Sequence, residues 1–342
     1  MKKIFFTIIF AFFIYCSSKQ TLKDPIGKFD VIMTVTSKEI YNRYLPELKK
    51  IFEKEVMTPQ REKEYNIVEG EFKNIEVYKR WRNIILIGLL NDASPASQFV
   101  VKSLSKDVLK LVRINQAFMF VKNDIWAKNQ TVMFIVAKND SLLKQNLFLY
   151  GDKIYQVFDQ NVRKNMENAI FIKKEKKGLE KKLQKKYKFS IRIPQNFYLT
   201  KEFPDSNFVW INAAAPPRWI FIYWRDVKKG ENIVINAKKA VELRDSLGVI
   251  FYNKDYIDKK HTKAMSTKFN GQQAIKLFGL WANDSLLVGG PFINYQFFDR
   301  NTRRYYMIDG AIFAPGIDKN IYLKKLDVIL NTFRTFKDSI DS

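Results

Sequence analysis

A lysine-rich segment at residues 173–188 divides the chain into two parts of similar length. It contains nine lysines and two glutamates, and such a shift in composition is typical of a boundary between domains. The parts before and after it are each of ordinary domain size. The sequence therefore predicts domains at residues 29–172 and 189–336, a connector at 173–188 and a tail at 337–342.

The connector has two interpretations. Blocks of like charge are usually solvated, so the segment can be a surface helix with Leu179 and Leu183 touching the fold at a spacing of four residues. Alternatively, its lysines bind an anionic membrane surface, where each contributes about 1 kcal/mol.

The first fifteen residues have the layout of an export signal. Lys2 and Lys3 precede an apolar run at residues 4–15, and Cys16 follows it. The run is too short for a bilayer-crossing helix, which needs about 20 residues, but it suits a signal. We expect a lipoprotein signal at residues 1–15, with Cys16 acylated, by palmitate for example, as the new N-terminus. Tyr15 stands where a small residue is usual, and an uncleaved anchor or a secretory signal cut elsewhere are the alternatives.

Cys16 is the only cysteine, so no intramolecular disulfide can form. Residues 16–28 are short and polar and contain Pro25 and Gly27, which is typical of a tether between a lipid and a folded domain. No acidic cluster follows Cys16. We therefore expect a cell-envelope protein that is lipid-anchored in the outer membrane and faces the periplasm.

The net charge of +24 comes mostly from lysine, with 45 Lys and 14 Arg. Bidentate phosphate recognition favours arginine, and an exported protein does not meet chromosomal DNA, so we expect no nucleic acid partner. A cationic surface attracts anionic lipids and acidic polymers. The expected partners are the membrane, through the N-terminal lipid, and an envelope protein or an anionic polymer.

Hydrophobic periodicity predicts strands and helices in both parts. In the first part, strands are expected at residues 29–36, 81–90, 118–121 and 131–137, and helices at 37–52, 95–112 and 139–172. In the second part, strands are expected at residues 188–193, 207–211, 218–225, 261–268, 273–281 and 295–313, the last divided by a turn at 299–304, and helices at 233–247 and 320–336. Gly248 is expected to end a helix, and Asn270-Gly271 to form a type I′ hairpin turn. The fold class predicted is α+β, with two domains that are each a mostly antiparallel sheet with helices packed on one face.

Several blocks of the sequence resemble a known family. They are RWRNII at residues 80–85, IP at 193–194, NFVWI at 207–211, RDSLG at 244–248 and WANDSLLVGGPFINY at 281–295. These blocks resemble an uncharacterised family of Bacteroidetes lipoproteins known as a domain of unknown function, over about residues 29–336. The resemblance implies an envelope lipoprotein and brings no activity, cofactor or catalytic residue.

Catalytic and cofactor motifs are missing from the sequence. It has one histidine, His261, and no Gly-x-Ser-x-Gly elbow for a Ser-His-Asp triad. It contains neither Gly-x-Gly-x-x-Gly nor Gly-x-x-x-x-Gly-Lys-Ser/Thr, the glycine-rich motifs that bind dinucleotides and phosphates. One His and one Cys cannot form a usual zinc site. We expect no cofactor and no metal, and a surface role for His261 among lysines.

Carboxylates remain candidates because a fold can bring two acids together from any spacing. Asp245 is expected in the last turn of a helix, where the dipole disfavours an anion, and a local salt bridge or turn role explains it. Asp284 and Asp299 are expected in turns, where aspartate commonly caps its own backbone. The alternation of residues 305–313 instead places Asp309 among aromatic side chains.

Gly289 and Gly290 have two interpretations. Two glycines before Pro291 are typical of a tight turn that enters a strand. Alternatively, they let a ligand approach the backbone, where Asn294 and Tyr295 supply polar contacts and Trp281 supplies a stacking face. The candidate ligand-binding residues are Trp281, Gly289, Gly290, Asn294, Tyr295 and Asp309.

These features predict a lipid-anchored cell-envelope protein that is non-enzymatic and binds a protein or an anionic or glycan envelope component. The alternative is an envelope hydrolase that uses carboxylates of the C-terminal domain. That alternative requires two acids in one aromatic-lined cleft.

Overall fold

The computed structural model describes residues 22–172, 175–231, 233–252 and 254–336. It divides into two units. Unit 1 contains the described residues up to Lys54 and the range Lys63–Asn168, and unit 2 contains Glu55–Glu62 and the described residues from Ala169 onward. The predicted signal, Cys16 and the predicted tail lie outside the described residues.

The helices and strands are labelled in chain order. The helices are α1 Lys38–Phe52, α2 Ile75–Tyr78, α3 Pro95–Lys102, α4 Lys106–Arg113, α5 Asp140–Phe171, α6 Lys177–Tyr187, α7 Ala237–Phe251 and α8 Asn320–Leu330. The strands are β1 Val31–Thr36, β2 Glu55–Val56, β3 Glu62–Lys63, β4 Asn66–Glu71, β5 Asn83–Leu89, β6 Met119–Asn123, β7 Thr131–Ala137, β8 Phe189–Ser190, β9 Tyr198–Phe203, β10 Phe208–Ala213, β11 Arg218–Asp226, β12 Tyr256–Phe269, β13 Gln272–Asn283, β14 Val288–Asp299, β15 Arg304–Ile312 and β16 Arg334–Thr335.

The main sheet in the described part of unit 1 has five strands in the order β4-β1-β5-β7-β6. The first four are parallel, and β6 is antiparallel to β7. Ile84 and Leu86 of β5 pack with α3 and α4 on one face. Ile85 and Ile87, on the other face, are equally buried, and α1 contacts β1 and β4. Both faces of this sheet are therefore covered, which confirms the predicted buried central strand.

The large sheet in the described part of unit 2 has seven antiparallel strands in the order β12-β13-β14-β15-β11-β10-β9. Leu183 of α6 and Leu326 of α8 pack on one face with Ile293. Ala240 of α7 packs on the other face with Phe292. Because Phe292 and Ile293 are neighbours in a strand, they point to opposite faces.

The α+β class with two regions is confirmed, but two details of the prediction are wrong. The sheet of unit 1 is mostly parallel, because α1 lies between β1 and β4 and because α3 and α4 lie between β5 and β7. Helices also cover both faces of each sheet rather than one.

Two glycine positions test the predicted helix ends and turns. Asn270 and Gly271 have φ of 48° and 80°, as the predicted type I′ turn requires. Gly248 does not end α7, which continues to Phe251. A Cβ at Gly248 would lie 2.5 Å from the carbonyl oxygen of Asp255, so this glycine allows the chain after the helix to pack closely.

Candidate functional site

Asp309 forms a buried ion pair with Arg244. Asp309 lies in β15 and Arg244 in the middle of α7, and both are buried. Nε of Arg244 is 2.8 Å from Oδ2 of Asp309, and Asn294 of β14 donates to the same oxygen at 2.9 Å. The guanidinium carbon of Arg244 lies 3.8 Å from the ring centre of Phe292. These contacts connect α7 to the middle of the large sheet.

Further buried polar groups extend this pair. The side-chain nitrogen of Gln296 donates to Oδ1 of Asn294 at 3.0 Å and to the carbonyl of Ala240 at 2.7 Å. The hydroxyl of Tyr305 donates to the side-chain oxygen of Gln296 at 2.6 Å. The members, called here the buried polar network, are Arg244, Asn294, Gln296, Tyr305 and Asp309.

Burial dominates the electrostatics of the network. It raises the pKa of Asp309, while the charge of Arg244 and hydrogen bonds from Arg244 and Asn294 act in the opposite direction. Burial also raises the pKa of the neighbouring Tyr252. The hydroxyl of Tyr252 has no hydrogen-bond partner within the described part of the chain. Since Asp309 has no exposed surface, a substrate cannot reach it in this conformation.

Tyr295 belongs to a different site from Asn294, because the two neighbours point to opposite faces of β14. The hydroxyl of Tyr295 donates to Oδ1 of Asp327 in α8 at 2.6 Å. Burial, followed by the charge of Asp327, raises the pKa of Tyr295 to about 12. The structure therefore does not bring all the candidate residues to one place.

Gly289 and Gly290 lie within β14, so the predicted turn is wrong. A Cβ at Gly289 would lie 2.7 Å from the carbonyl oxygen of Trp281, and a Cβ at Gly290 would collide with the carbonyl oxygen of Ile312. The indole nitrogen of Trp281 donates to that oxygen at 3.3 Å, and Trp281 is buried. The space in front of the two glycines is thus filled by neighbouring strands.

The remaining sequence candidates have local partners. His261 is exposed, and its Nδ1 lies 2.6 Å from Oδ2 of Asp258. Asp245 is in the body of α7 rather than its last turn, and it accepts from the backbone N–H of Ile257 at 2.7 Å. Asp299 accepts hydrogen bonds from its own turn. No group of three His, Cys, Asp or Glu side chains suited to a metal occurs among the described residues.

The predicted connector contains α6, which packs on unit 2. Leu183 and Tyr187 are buried in its core, and Leu179 packs against them. Lys182 and Lys186 each lie 2.7 Å from a carboxylate oxygen of Glu202. The one carboxylate of Glu202 therefore compensates part of the positive charge of these two lysines within the unit.

The described part of the predicted tether is hydrogen-bonded to unit 1. The backbone N–H of Ile26 donates to the carbonyl of Arg80 at 2.8 Å, and the N–H of Arg82 donates to Ile26 at 2.9 Å. In the described residues, no helix is both long enough and apolar enough to span a membrane.

The sequence did not predict that Arg244 pairs with Asp309. The two are separated by 65 residues, and no local pattern links them. The available signal was helical spacing, since Arg244 stands four residues after Ala240 and three before Leu247 and shares their buried face.

Comparison with known proteins identifies two domains of unknown function that together cover most of the chain. Residues 25–171 match the family model of the domain of unknown function DUF8532, and residues 175–332 match that of DUF4837. The two matches are consistent with an uncharacterised family. None of the curated proteins shows significant similarity to the chain.

Similarity to solved structures is weak. With the Ran-binding protein Mog1p of Saccharomyces cerevisiae, identity is 10% and the TM-score 0.32, over 44% of this chain and 92% of Mog1p. With LpqN of Mycobacterium tuberculosis, described as involved in cell envelope biogenesis, identity is 11% and the TM-score 0.29, over 43% of this chain and 83% of LpqN. With a protein from Bacteroides thetaiotaomicron VPI-5482, identity is 8% and the TM-score 0.27, over 44% of this chain and 46% of the other. These TM-scores are too low to transfer a function.

Proposed function

We propose that this protein is a lipid-anchored, non-enzymatic component of a bacterial cell envelope that binds an envelope protein or an anionic or glycan polymer. The anchor is supported by the sequence, in which two lysines, a short apolar run and Cys16 follow one another. The resemblance to Bacteroidetes lipoproteins supports an envelope location. The lack of an acidic cluster after Cys16 is the reason for proposing the outer membrane, with the folded part facing the periplasm.

The burial of Asp309 is the observation that carries the non-enzymatic part of the proposal. The carboxylate has no exposed surface and holds a helix against a sheet through Arg244. A general acid or a nucleophile must lie within hydrogen-bond reach of a substrate. The chemistry of Asp309 instead fits a positioning role for α7.

The hydrolase alternative has a specific observation in its favour. Burial raises the pKa of Asp255 as well as that of Asp309, and the charge of Arg244 acts on both. Of these two carboxyl groups, Arg244 is in contact with that of Asp309 only, and its charge acts to lower the pKa of Asp255 from a distance, beside the aromatic side chains of Phe221 and Tyr252. Only Asp255 is partly exposed.

An activity assay separates the two functions. The purified protein is incubated with envelope glycans and with ester substrates, alongside the Asp309→Asn and Asp255→Asn variants. We expect no turnover above background in any of the three. Hydrolysis by the parent that is abolished in a folded Asp255→Asn or Asp309→Asn variant would overturn the non-enzymatic assignment.

Co-purification tests the binding role. The tagged protein is extracted in detergent at low salt, and bound material is identified by mass spectrometry. We expect an envelope protein or an acidic polymer that dissociates as the salt concentration rises, because screening weakens contacts to a cationic surface. Recovery of the protein alone at low salt contradicts the proposal.

A further inference from the structure

Four exposed aliphatic side chains lie at one end of unit 2. Val249 and Ile250, in the last turn of α7, are 50% and 67% exposed. Leu286 and Leu287, in the turn between β13 and β14, are 59% and 89% exposed. We call these four residues the apolar tip.

Short contacts connect the two halves of the apolar tip. Gly248 packs against the carbonyl oxygen of Asp255. The side-chain nitrogen of Asn283 donates to Oδ1 of Asp255 at 2.7 Å, and Oδ1 of Asn283 accepts from the N–H of Leu286 at 3.0 Å. The end of α7 and the β13–β14 turn are therefore neighbours within the unit.

The backbone of Leu287 is strained. Its φ is +51°, in the left-handed region that glycine and asparagine occupy at low cost and that bulky residues avoid. A leucine that is almost fully exposed gains nothing from burial to compensate for this strain. Strained backbone of this kind is concentrated at functional positions, so contact with something outside the unit explains the residue better.

The surroundings of the apolar tip favour a lipid surface. The ammonium groups of Lys254, beside Asp255, and of Lys259 and Lys260, further along β12, are exposed and have no partner within the described part of the chain. Three acidic residues lie in the same stretch, and each has a partner. Asp255 accepts from Asn283, Asp258 contacts Nδ1 of His261, and Asp284 accepts a hydrogen bond from the hydroxyl of Tyr256 at 2.7 Å. Aliphatic side chains on a turn, beside lysines, match the apolar boundary and the anionic headgroups of a bilayer.

We propose that the apolar tip inserts into the headgroup–acyl boundary of a bilayer that contains anionic phospholipid. The turn suits that environment because Asn283 satisfies the N–H of Leu286, and unsatisfied backbone groups are costly in lipid. This contact goes beyond the proposed function, because it requires neither acylation of Cys16 nor a soluble ligand.

Vesicle flotation tests the proposal with a chain that begins at Ser17, which keeps every described residue and lacks Cys16. We expect it to float with phosphatidylcholine vesicles that contain phosphatidylglycerol. The double variant Leu286→Ser, Leu287→Asn should bind about tenfold more weakly, since burial of one leucine is worth at least that factor. Asparagine tolerates the left-handed backbone, so the midpoint of thermal unfolding should not fall.

The matched control removes two exposed apolar side chains from unit 1. Ile114 and Phe148 are 62% and 80% exposed, and the double variant Ile114→Ser, Phe148→Ser should float as the parent does. Absence of flotation with anionic vesicles overturns the proposal. Equal flotation of the parent and the tip variant also overturns it, since the cationic surface elsewhere then accounts for the binding to anionic vesicles.

A fluorescent probe gives an independent measurement, because the chain from Ser17 has no other cysteine. Leu287→Cys and Phe148→Cys variants are each labelled with a polarity-sensitive dye. Anionic vesicles should shift the emission to the blue at position 287 and leave it unchanged at 148. An unchanged signal at position 287 contradicts insertion, and none of these results depends on acylation of Cys16.

Discussion

At the scale of single residues, the pairing of Asp309 with Arg244 is expected to matter for stability because both side chains are buried. Removing one partner of a buried ion pair leaves the other charge without compensation. We expect Asp309→Asn to lower the free energy of unfolding by about 3–5 kcal/mol in urea denaturation. The control Asp284→Asn, which loses one exposed hydrogen bond from Tyr256, should cost less than about 1 kcal/mol. Equal stability of the two variants contradicts a structural role for Asp309.

Gly290 is a second residue whose role is decided by close packing. Gly290→Ala should lower the free energy of unfolding by about 1–3 kcal/mol, because its Cβ collides with the backbone of β15. Gly178→Ala is the control, since nothing lies within 4 Å of its Cβ in α6. It should stabilise the protein by about 0.5–1 kcal/mol. A ligand-contact role for Gly290 predicts instead that Gly290→Ala folds with unchanged stability.

Sequence reasoning was least successful for residues governed by distant contacts. Asp309 was expected among aromatic side chains, and it stands opposite Phe221 in the sheet. Residues 305–312 are all buried, so alternation alone does not explain why this position holds a carboxylate. The same reasoning could not place Gly290 inside a strand, because the need for glycine comes from Ile312 of the adjacent strand. It also grouped Asn294 with Tyr295, although alternation along a strand sends these neighbours to opposite faces.

At the scale of elements, Glu202 fixes α6 against the large sheet. Hydrogen bonds from Lys182, Lys186 and Tyr187 lower its pKa to about 2 from an ordinary value of 4.5. The carboxylate therefore stays ionised to lower pH in the folded protein than in the unfolded chain. Its contribution to stability is complete above pH 4.5 and is lost as the pH falls toward 2.

Chemical denaturation at several pH values measures this contribution. Glu202→Gln should be less stable than the parent at neutral pH, and the difference should shrink between pH 4.5 and 2. Glu231→Gln is the control, because its exposed pair with Arg225 is screened by solvent. A stability difference for Glu202→Gln that does not change with pH contradicts the ion-pair account.

Elements were predicted more reliably than their pairing. The apolar run of β5 and the Asn270-Gly271 turn follow from local pattern, and both are present. The parallel pairing of β1 with β4 and β5 depends on where α1 and later helices return the chain. Strands β4 and β9 have weak periodicity, and neither was predicted.

At the scale of the whole molecule, the chain combines two units with different sheets. Unit 1 has a mostly parallel sheet and unit 2 an antiparallel one. The buried polar network lies within unit 2, away from solvent, whereas the apolar tip of the same unit is exposed. We therefore look for function on the surface and at the membrane rather than in an internal site.

Mass spectrometry of the native N-terminal peptide tests the central claim, lipid anchoring, most directly. The account predicts that residues 1–15 are absent and that the mature chain begins at Cys16 with acyl chains attached. The control Ser17→Ala should be acylated like the parent, whereas Cys16→Ala should lose the lipid and its retention in the membrane. Retention of residues 1–15, or an unmodified Cys16 sulfur in the native protein, would contradict the account.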